Sequence, residues 1–224
     1  MKIQKSQEAM TKQTPPKRKY DSSRRKEQAL QTQRQIVEAA RSLFISRGYA
    51  GATIEAIAQE AGVAEETVYA SFGSKRAILS KLIDVSIVGD DQPIPLLERQ
   101  GPQKVQHETD QHRQIEFFVN DIYEIMSRVA PIFDIMRVAA KTEPEIAGML
   151  QSMLNARVQG MLVFVRALMK NGPLREGLTP GEAAETVWML TSAEVFILFI
   201  ANRGWTENKY KQWMLNALVK LLLP

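Results

Sequence analysis

Apolar residues return at three- and four-residue intervals along most of this chain, a spacing that gathers them on single faces of helices. Ile36, Ala39, Ala40, Leu43 and Phe44 form a stripe that predicts a first helix from Gln31, closed at Gly48. Ile54, Ile57, Ala58 and Ala61 repeat the period over a shorter run. A third run covers about Glu65 to Ser71, and Ile78, Leu79, Leu82 and Ile83 carry a fourth over 75–88. Gly89-Asp90-Asp91-Gln92-Pro93 then breaks the pattern, and up to about Asp110 it predicts only one short turn around Leu96-Leu97. Further helices are predicted over about 111–129, 131–141, 143–171, 179–202 and 206–222, divided at Pro131, Thr142-Glu143-Pro144, Gly172-Pro173, Thr179-Pro180 and Gly204. No segment alternates with the period of two that a half-buried strand requires. The expectation is an all-α protein.

The residues between the short runs are as informative as the runs. Thr53 stands where a hydroxyl can cap the amides opening the second helix, and Gly62 can take positive φ without steric cost and reverse the chain. Two short helices joined this way read as a helix-turn-helix, whose second helix fits a DNA major groove. Its first turn carries Glu65 and Glu66, which suit the positive end of the helix dipole, although Ala64 is a poor cap. Tyr69 can offer its hydroxyl to a phosphate while Phe72 packs inward. Gly73-Ser74-Lys75 reads as turn, cap and first-turn cation, so Lys75 would meet phosphate together with the open amides of a helix N-terminus. A plain helical hairpin would share the apolar spacing, but Tyr69, Ser74 and Lys75 serve no core.

At these residues the sequence resembles the TetR family of bacterial transcriptional regulators. The resemblance runs from about Gln31 to Leu82 and rests on Ile36, Ala39-Ala40, Leu43-Phe44, Arg47-Gly48-Tyr49, Thr53-Ile54, Ile57-Ala58, Ala61-Gly62-Val63, Thr67-Val68-Tyr69, Phe72 and Ser74-Lys75. Residues 1–28, rich in Lys, Arg, Gln, Ser and Thr and without an apolar period, read as a basic arm, and the resemblance implies a three-helix DNA-binding domain over 29–82 and a helical effector-binding and dimerisation domain over 83–224, joined through the connecting helix. By the same resemblance, Thr53, Tyr69 and Lys75 contact phosphates, while Glu65, Glu66, Thr67 and Ser71 lie on or beside the base-reading face. Many members have His between the Tyr and Phe of this motif, where this chain has Ser71.

The larger domain offers chemistry of a softer kind. Eight of the ten methionines follow Val119, and Met149, Met153 and Met161 share a helix face with Arg157. That stripe suits either an adaptable cavity lining or ordinary core. As a cavity, its walls are expected to be Tyr123, Met126, Phe133, Arg137, Met153, Arg157 and Trp188. Arg137 and Arg157 each need an anion in such surroundings, supplied by an internal carboxylate such as Glu194 or by a ligand's acid group. The last two helices carry more apolar surface than one side can cover, and the family resemblance pairs them with a twofold mate as a four-helix bundle. The candidate dimer contacts are Phe196, Ile197, Ile200, Trp213, Met214, Ala217 and Leu221.

Composition narrows the alternatives. Up to Arg47 the chain has twelve basic residues against four acidic ones, an excess of +8 that leaves −4 for the remainder. A positive end draws nucleic acid and makes affinity fall with salt. The clusters Lys17-Arg18-Lys19 and Arg24-Arg25-Lys26 serve either as a DNA-contacting arm or as a solubilising tail. There is no cysteine, and His107 and His112 stand five apart, off a common helical face, so neither a thiolate metal cluster nor a histidine pair is expected. No nucleophile motif or cofactor loop is present, and no enzyme or cofactor is expected. The longest wholly apolar stretch, Val195 to Ala201, is too short to span a bilayer, and the start lacks a secretory core; both point to a cytoplasmic protein. Together these readings describe a homodimer on a palindromic operator, a repressor released by a small-molecule effector. A ligand-blind dimeric DNA-binding accessory protein is the alternative.

Overall fold

The computed structural model describes residues 22–224, and the described residues form helices and connecting turns with no strand. Helix α1 spans Ser22–Gly51, α2 Ile54–Ala61, α3 Glu65–Phe72 and α4 Lys75–Val88. A 3-10 turn, Leu96–Glu98, leads to α5, Gln100–His107, then α6, Gln111–Ala139, and α7, Pro144–Met169. Helices α8, Pro180–Leu190, and α9, Ala193–Phe196, run into a π-turn, Ile197–Asn202, and α10, Glu207–Leu222, completes the chain.

The first four helices build one core. Ile36, Ala40 and Phe44 of α1, Ile57 of α2, Val68 of α3 and Ile78, Leu79, Leu82 and Ile83 of α4 are all removed from solvent. At about 1.5–3 kcal/mol for each large side chain so buried, this cluster dominates the stability of the small domain. Its floor comes from the other domain: Ile132, Met136 and Ala139 of α6 and Ile146 of α7 belong to the same core. The second core fills the space between α5, α6, α7, α8 and α10, with Phe118 stacked on Phe164 at 3.9 Å between centroids.

Several sequence expectations need correction. Ser22–Gln28, read as part of the arm over 1–28, already form the first turns of α1, because Lys, Arg, Gln and Glu are good helix formers even without an apolar face. The cluster Lys17-Arg18-Lys19 lies outside the described residues. The stretch before Asp110 holds a whole helix, α5: Pro102 falls in its first turn, where no N–H is needed. A Cβ on Gly101 would run into the Asp121 carboxylate of α6, so a larger residue there needs that side chain to turn away.

Pro131 does not divide two helices but sits inside the single helix α6, on its exposed side. A proline there costs about 3 kcal/mol. Burial of Val129, Ala130, Ile132 and Phe133 on the opposite side outweighs it, at about 0.8 kcal/mol per buried methylene. Conversely, the helix expected over 179–202 breaks: α8 stops at Leu190, Ser192 caps α9 by accepting from the Val195 N–H at 3.3 Å, and the π-turn follows. By length and composition Pro180–Asn202 is apolar enough to cross a membrane. Here Ala183, Ala184, Val187, Leu190, Ala193 and Phe196 lie against the protein's own core instead.

Candidate functional site

Local chemistry sets the geometry of α2 and α3. Thr53, in extended conformation at φ −81°, accepts the Ala56 N–H on Oγ1 at 3.1 Å and opens α2. Gly62 closes it in the left-handed region at φ 67°, ψ 33°, its own N–H bonded to the Ala58 and Gln59 carbonyls. No other atom lies near the position of a Cβ on Gly62, so backbone conformation alone demands glycine there. Val68 then anchors α3 by inserting into the core. With that residue fixed, Glu65, Glu66, Tyr69 and Ala70 are exposed, and Thr67 and Ser71 are half-buried at the flanks.

The structure thus brings Glu65, Glu66, Thr67, Tyr69 and Ser71 onto one short helix whose outer side is free, with Thr53 exposed at the start of α2. Ala70 shares this outer face and was not singled out from the sequence. Its position two residues from the buried Val68, on the opposite side of the helix, was the available signal. Tyr69 has about half its surface exposed. Lys75 is placed differently from the others. Its Nζ donates to the Tyr49 carbonyl at 2.7 Å and lies 4.3 Å from the centre of the Tyr49 ring, and partial burial lowers its pKa. Ser74 accepts the Ala77 N–H at 3.2 Å and starts α4 beside it.

Helix α4 connects this surface to the larger domain. Near its far end, Arg128 of α6 donates from Nε to the Ser86 carbonyl at 3.0 Å and from Nη2 to that of Ile87 at 3.4 Å. Arg41 of α1 donates to the Ser86 hydroxyl at 2.7 Å, which donates in turn to the Leu82 carbonyl. Arg76 at the near end pairs with Glu145 of α7. Just past α4, Asp90 is clamped by Arg99, and Asp91 by Arg34 of α1.

A cavity of about 380 Å³ lies where α4, α6, α7 and the α8–α9 corner meet. Met126, Phe133, Met153, Arg157 and Trp188 line it. Tyr123 and Arg137, expected among its walls, do not. Tyr123 packs in an aromatic group, 5.6 Å from Phe196 and 6.0 Å from Tyr210, and Arg137 pairs with Glu194 at the surface. The period of α6 gave their spacing along the helix but not which neighbour each side would meet. Asp84 and Ile87 of α4 were not anticipated as walls, and they put the connecting helix directly on the cavity. Burial raises the pKa of the Asp84 carboxyl.

The candidate dimer residues also divide. Met214 is fully buried and Phe196 is 7% exposed, so both belong to the protomer's own core and neither can form a contact surface. Ile197, Ile200, Trp213 and Ala217 are half-buried, and Leu221 is exposed. Met189 and Leu198, not singled out before, are the large apolar side chains most exposed on α8 and the π-turn. His107 Nδ1 lies 2.7 Å from the Gln103 carbonyl, and among the described residues no cluster of His, Asp and Glu has the makings of a metal site.

Comparison with known proteins gives a consistent result. Residues 36–82 match the profile described as bacterial regulatory proteins, tetR family. Over 61 residues the chain is 41% identical to the HTH-type transcriptional regulator TtgR of Pseudomonas putida, and equally to the probable HTH-type transcriptional regulator ArpR of the same species. That alignment spans 27% of this chain and only 29% of either relative. Similar solved structures include the fatty acid degradation regulator FadR of Bacillus halodurans, with a TM-score of 0.65 over 84% of this chain and 92% of that one at 16% identity. SmeT, the repressor of the Stenotrophomonas maltophilia multidrug efflux pump SmeDEF, matches with a TM-score of 0.62 over 86% and 90% at 20% identity. A SmeT–triclosan complex matches with a TM-score of 0.65 over 87% and 92% at 19% identity. At such identities these structures show a shared fold. Residues 36–82 thus match the tetR-family helix-turn-helix in sequence, and the helical architecture around them shares its fold with these solved regulators.

Proposed function

We propose that the protein is a homodimeric, sequence-specific DNA-binding regulator that represses transcription and is released from a palindromic operator by a small molecule. One observation carries this reading: α4 begins beside the exposed helix α3 and ends in the wall of a cavity. The same fourteen-residue helix therefore touches both candidate sites. A ligand that fits the cavity better in one position of α4 than in another shifts the balance between those positions, and the operator and ligand must weaken each other reciprocally. The exposed Leu198, Met189 and Leu221 supply apolar surface for a twofold mate. In such a dimer the two copies of α3 would face successive major grooves, about 34 Å apart.

The cavity volume lies within the range of small-molecule sites, which favours a ligand-responsive protein over a ligand-blind DNA binder. The triclosan complex of the similarly folded SmeT supports a hydrophobic effector. To test the proposal, duplexes selected by the purified protein from a random pool are measured by gel shift, with and without hydrophobic compounds that raise its melting temperature. The proposal expects one palindromic site per dimer and release by at least one stabilising compound. A monomer that shows no preference among duplexes would refute it.

A further inference from the structure

Three ionisable side chains line the cavity, Asp84, Arg157 and Glu194, and of these Arg157 is hydrogen-bonded to neutral groups. Arg157 enters it from α7, and its guanidinium donates from Nη1 to the Trp188 carbonyl at 2.9 Å and from Nη2 to the carbonyl and hydroxyl of Thr191 at 2.5 and 2.6 Å. All three acceptors are neutral. They close the end of α8, where a cation suits the helix dipole, but they satisfy N–H groups without cancelling the charge. No carboxylate of the described residues pairs with Arg157. Glu194, whose charge does act on it, is held by Arg137 on the outer side, and Asp84 stands across on α4 with solvent access.

The surroundings make this charge costly to leave alone. Burial lowers the guanidinium pKa to about 10, which still leaves it protonated at neutral pH. Ile122, Met126, Phe133, Met153 and Met161 supply apolar walls around it. The Trp188 indole N–H is buried without an acceptor. A half-buried cation with two N–H groups left over, set in a largely apolar lining, suits an anion with an apolar body.

We infer that the cavity selects amphipathic carboxylic acids, the carboxylate seated on the open N–H groups of Arg157 and the apolar body lying among the methionines and Phe133. The inference rests on the ligand-release reading above and names its ligand class. Of the five guanidinium N–H groups, that of Nε and one of Nη1 are left to donate to a carboxylate, whose opposite charge neutral or cationic head groups cannot reproduce. The same guanidinium closes α8 through Trp188 and Thr191, so an acid drawing on it also bears on the α8–α9 corner that leads into the exposed Leu198 surface.

The test compares head groups on constant bodies. Decanoate, methyl decanoate, decanol and decylamine, and naphthoate beside its primary amide, are titrated into the full-length protein by calorimetry and thermal shift. The expected result is binding of each acid about tenfold or more tighter than its neutral counterpart, with the amine weakest. In Arg157→Gln and Arg157→Met the preference for acid over neutral compound should vanish while binding of the neutral compounds persists. Because the head-group comparison uses the unaltered protein, a variant that fails to fold does not remove the test. No preference for either acid over its neutral partner, or a preference for decylamine, overturns the inference. Operator selection by the same protein separates the outcomes: if it binds a specific duplex and only neutral compounds release it, the inference fails and the proposed function stands. Failure to select any duplex would defeat the function itself.

Discussion

Arg128 Nε donates to the carbonyl of Ser86 across 3.0 Å, tying the long helix α6 to the last turn of α4. A guanidinium at the C-terminal end of a helix serves both its open carbonyls and its dipole. Arg128→Ala is expected to cost about 1–3 kcal/mol of stability, as for a charged hydrogen bond with its acceptors left behind, read from urea unfolding. The amides of 85–89 should exchange hydrogen faster while those of α2 and α3 are unchanged. Uniform acceleration throughout the small domain would mean that Arg128 supports the fold generally and not the end of α4.

On the proposed reading, Tyr69 and Lys75 contact phosphates, while Thr67, at the flank of the exposed side of α3, lies beside the base-reading face. Tyr69→Phe and Lys75→Ala should weaken binding to matched and mismatched duplexes alike, Lys75→Ala also lowering the slope of log affinity against log salt by about 1. Thr67→Ala should instead change the ranking of operator sequences. Gel-shift titrations on a panel of single-base variants measure both, and a loss of discrimination in Lys75→Ala would count against its role as a phosphate contact.

Two residues only two positions apart should respond oppositely at the proposed twofold surface. Leu198→Asp leaves the protomer core intact, since half of that side chain is already in water, and should yield a folded monomer by sedimentation. Phe196→Ala opens a cavity between Tyr123 and Tyr210 and should destabilise the protomer by about 3–5 kcal/mol. A dimer that survives Leu198→Asp would place the contact elsewhere.

The segment after α4 makes a pH-dependent clasp. Hydrogen bonds from Arg99 hold the Asp90 carboxyl down at about 2, and Arg34 lowers that of Asp91. A carboxylate with its folded pKa below the unfolded value stabilises above the unfolded value, and the contribution is lost as pH falls through the folded one. The clasp should therefore persist at neutral pH and dissolve between about pH 4 and pH 2, the window set by the ordinary and depressed values of Asp90. NMR titration of the carboxyl carbons tests this, and an Asp90 midpoint at the ordinary aspartate value would contradict it. In Arg99→Gln the Asp90 midpoint should return towards that ordinary value.

The small domain was nearly fully legible in sequence because its boundaries are written in local chemistry. Thr53, Gly62, Ser74 and Gly89 each end or start a helix by their own hydrogen bonds and dihedrals, and α4 runs over the expected residues. The larger domain is decided at longer range. Pro131 marks a helix boundary by local rules, yet buried neighbours carry α6 through it. The apolar period runs on through Thr191 and Ser192, so nothing in it announced the break that Arg157 stabilises from another helix. For the same reason, spacing put Tyr123 and Arg137 near the cavity but could not show that Tyr210 and Glu194 would draw them away from it.

The fourteen residues of α4 give a rod about 20 Å long, held by Arg128 of α6 near the end that lines the cavity. A tilt of about 6° at that end carries the other through about 2 Å, enough to pull an amide or hydroxyl out of reach of an oxygen it had been bonding. In two copies related by a dyad, such displacements would add across the span between the grooves. Under the proposed function, a ligand of modest size would thus disengage a much larger duplex without unfolding anything, by working the short arm of a lever.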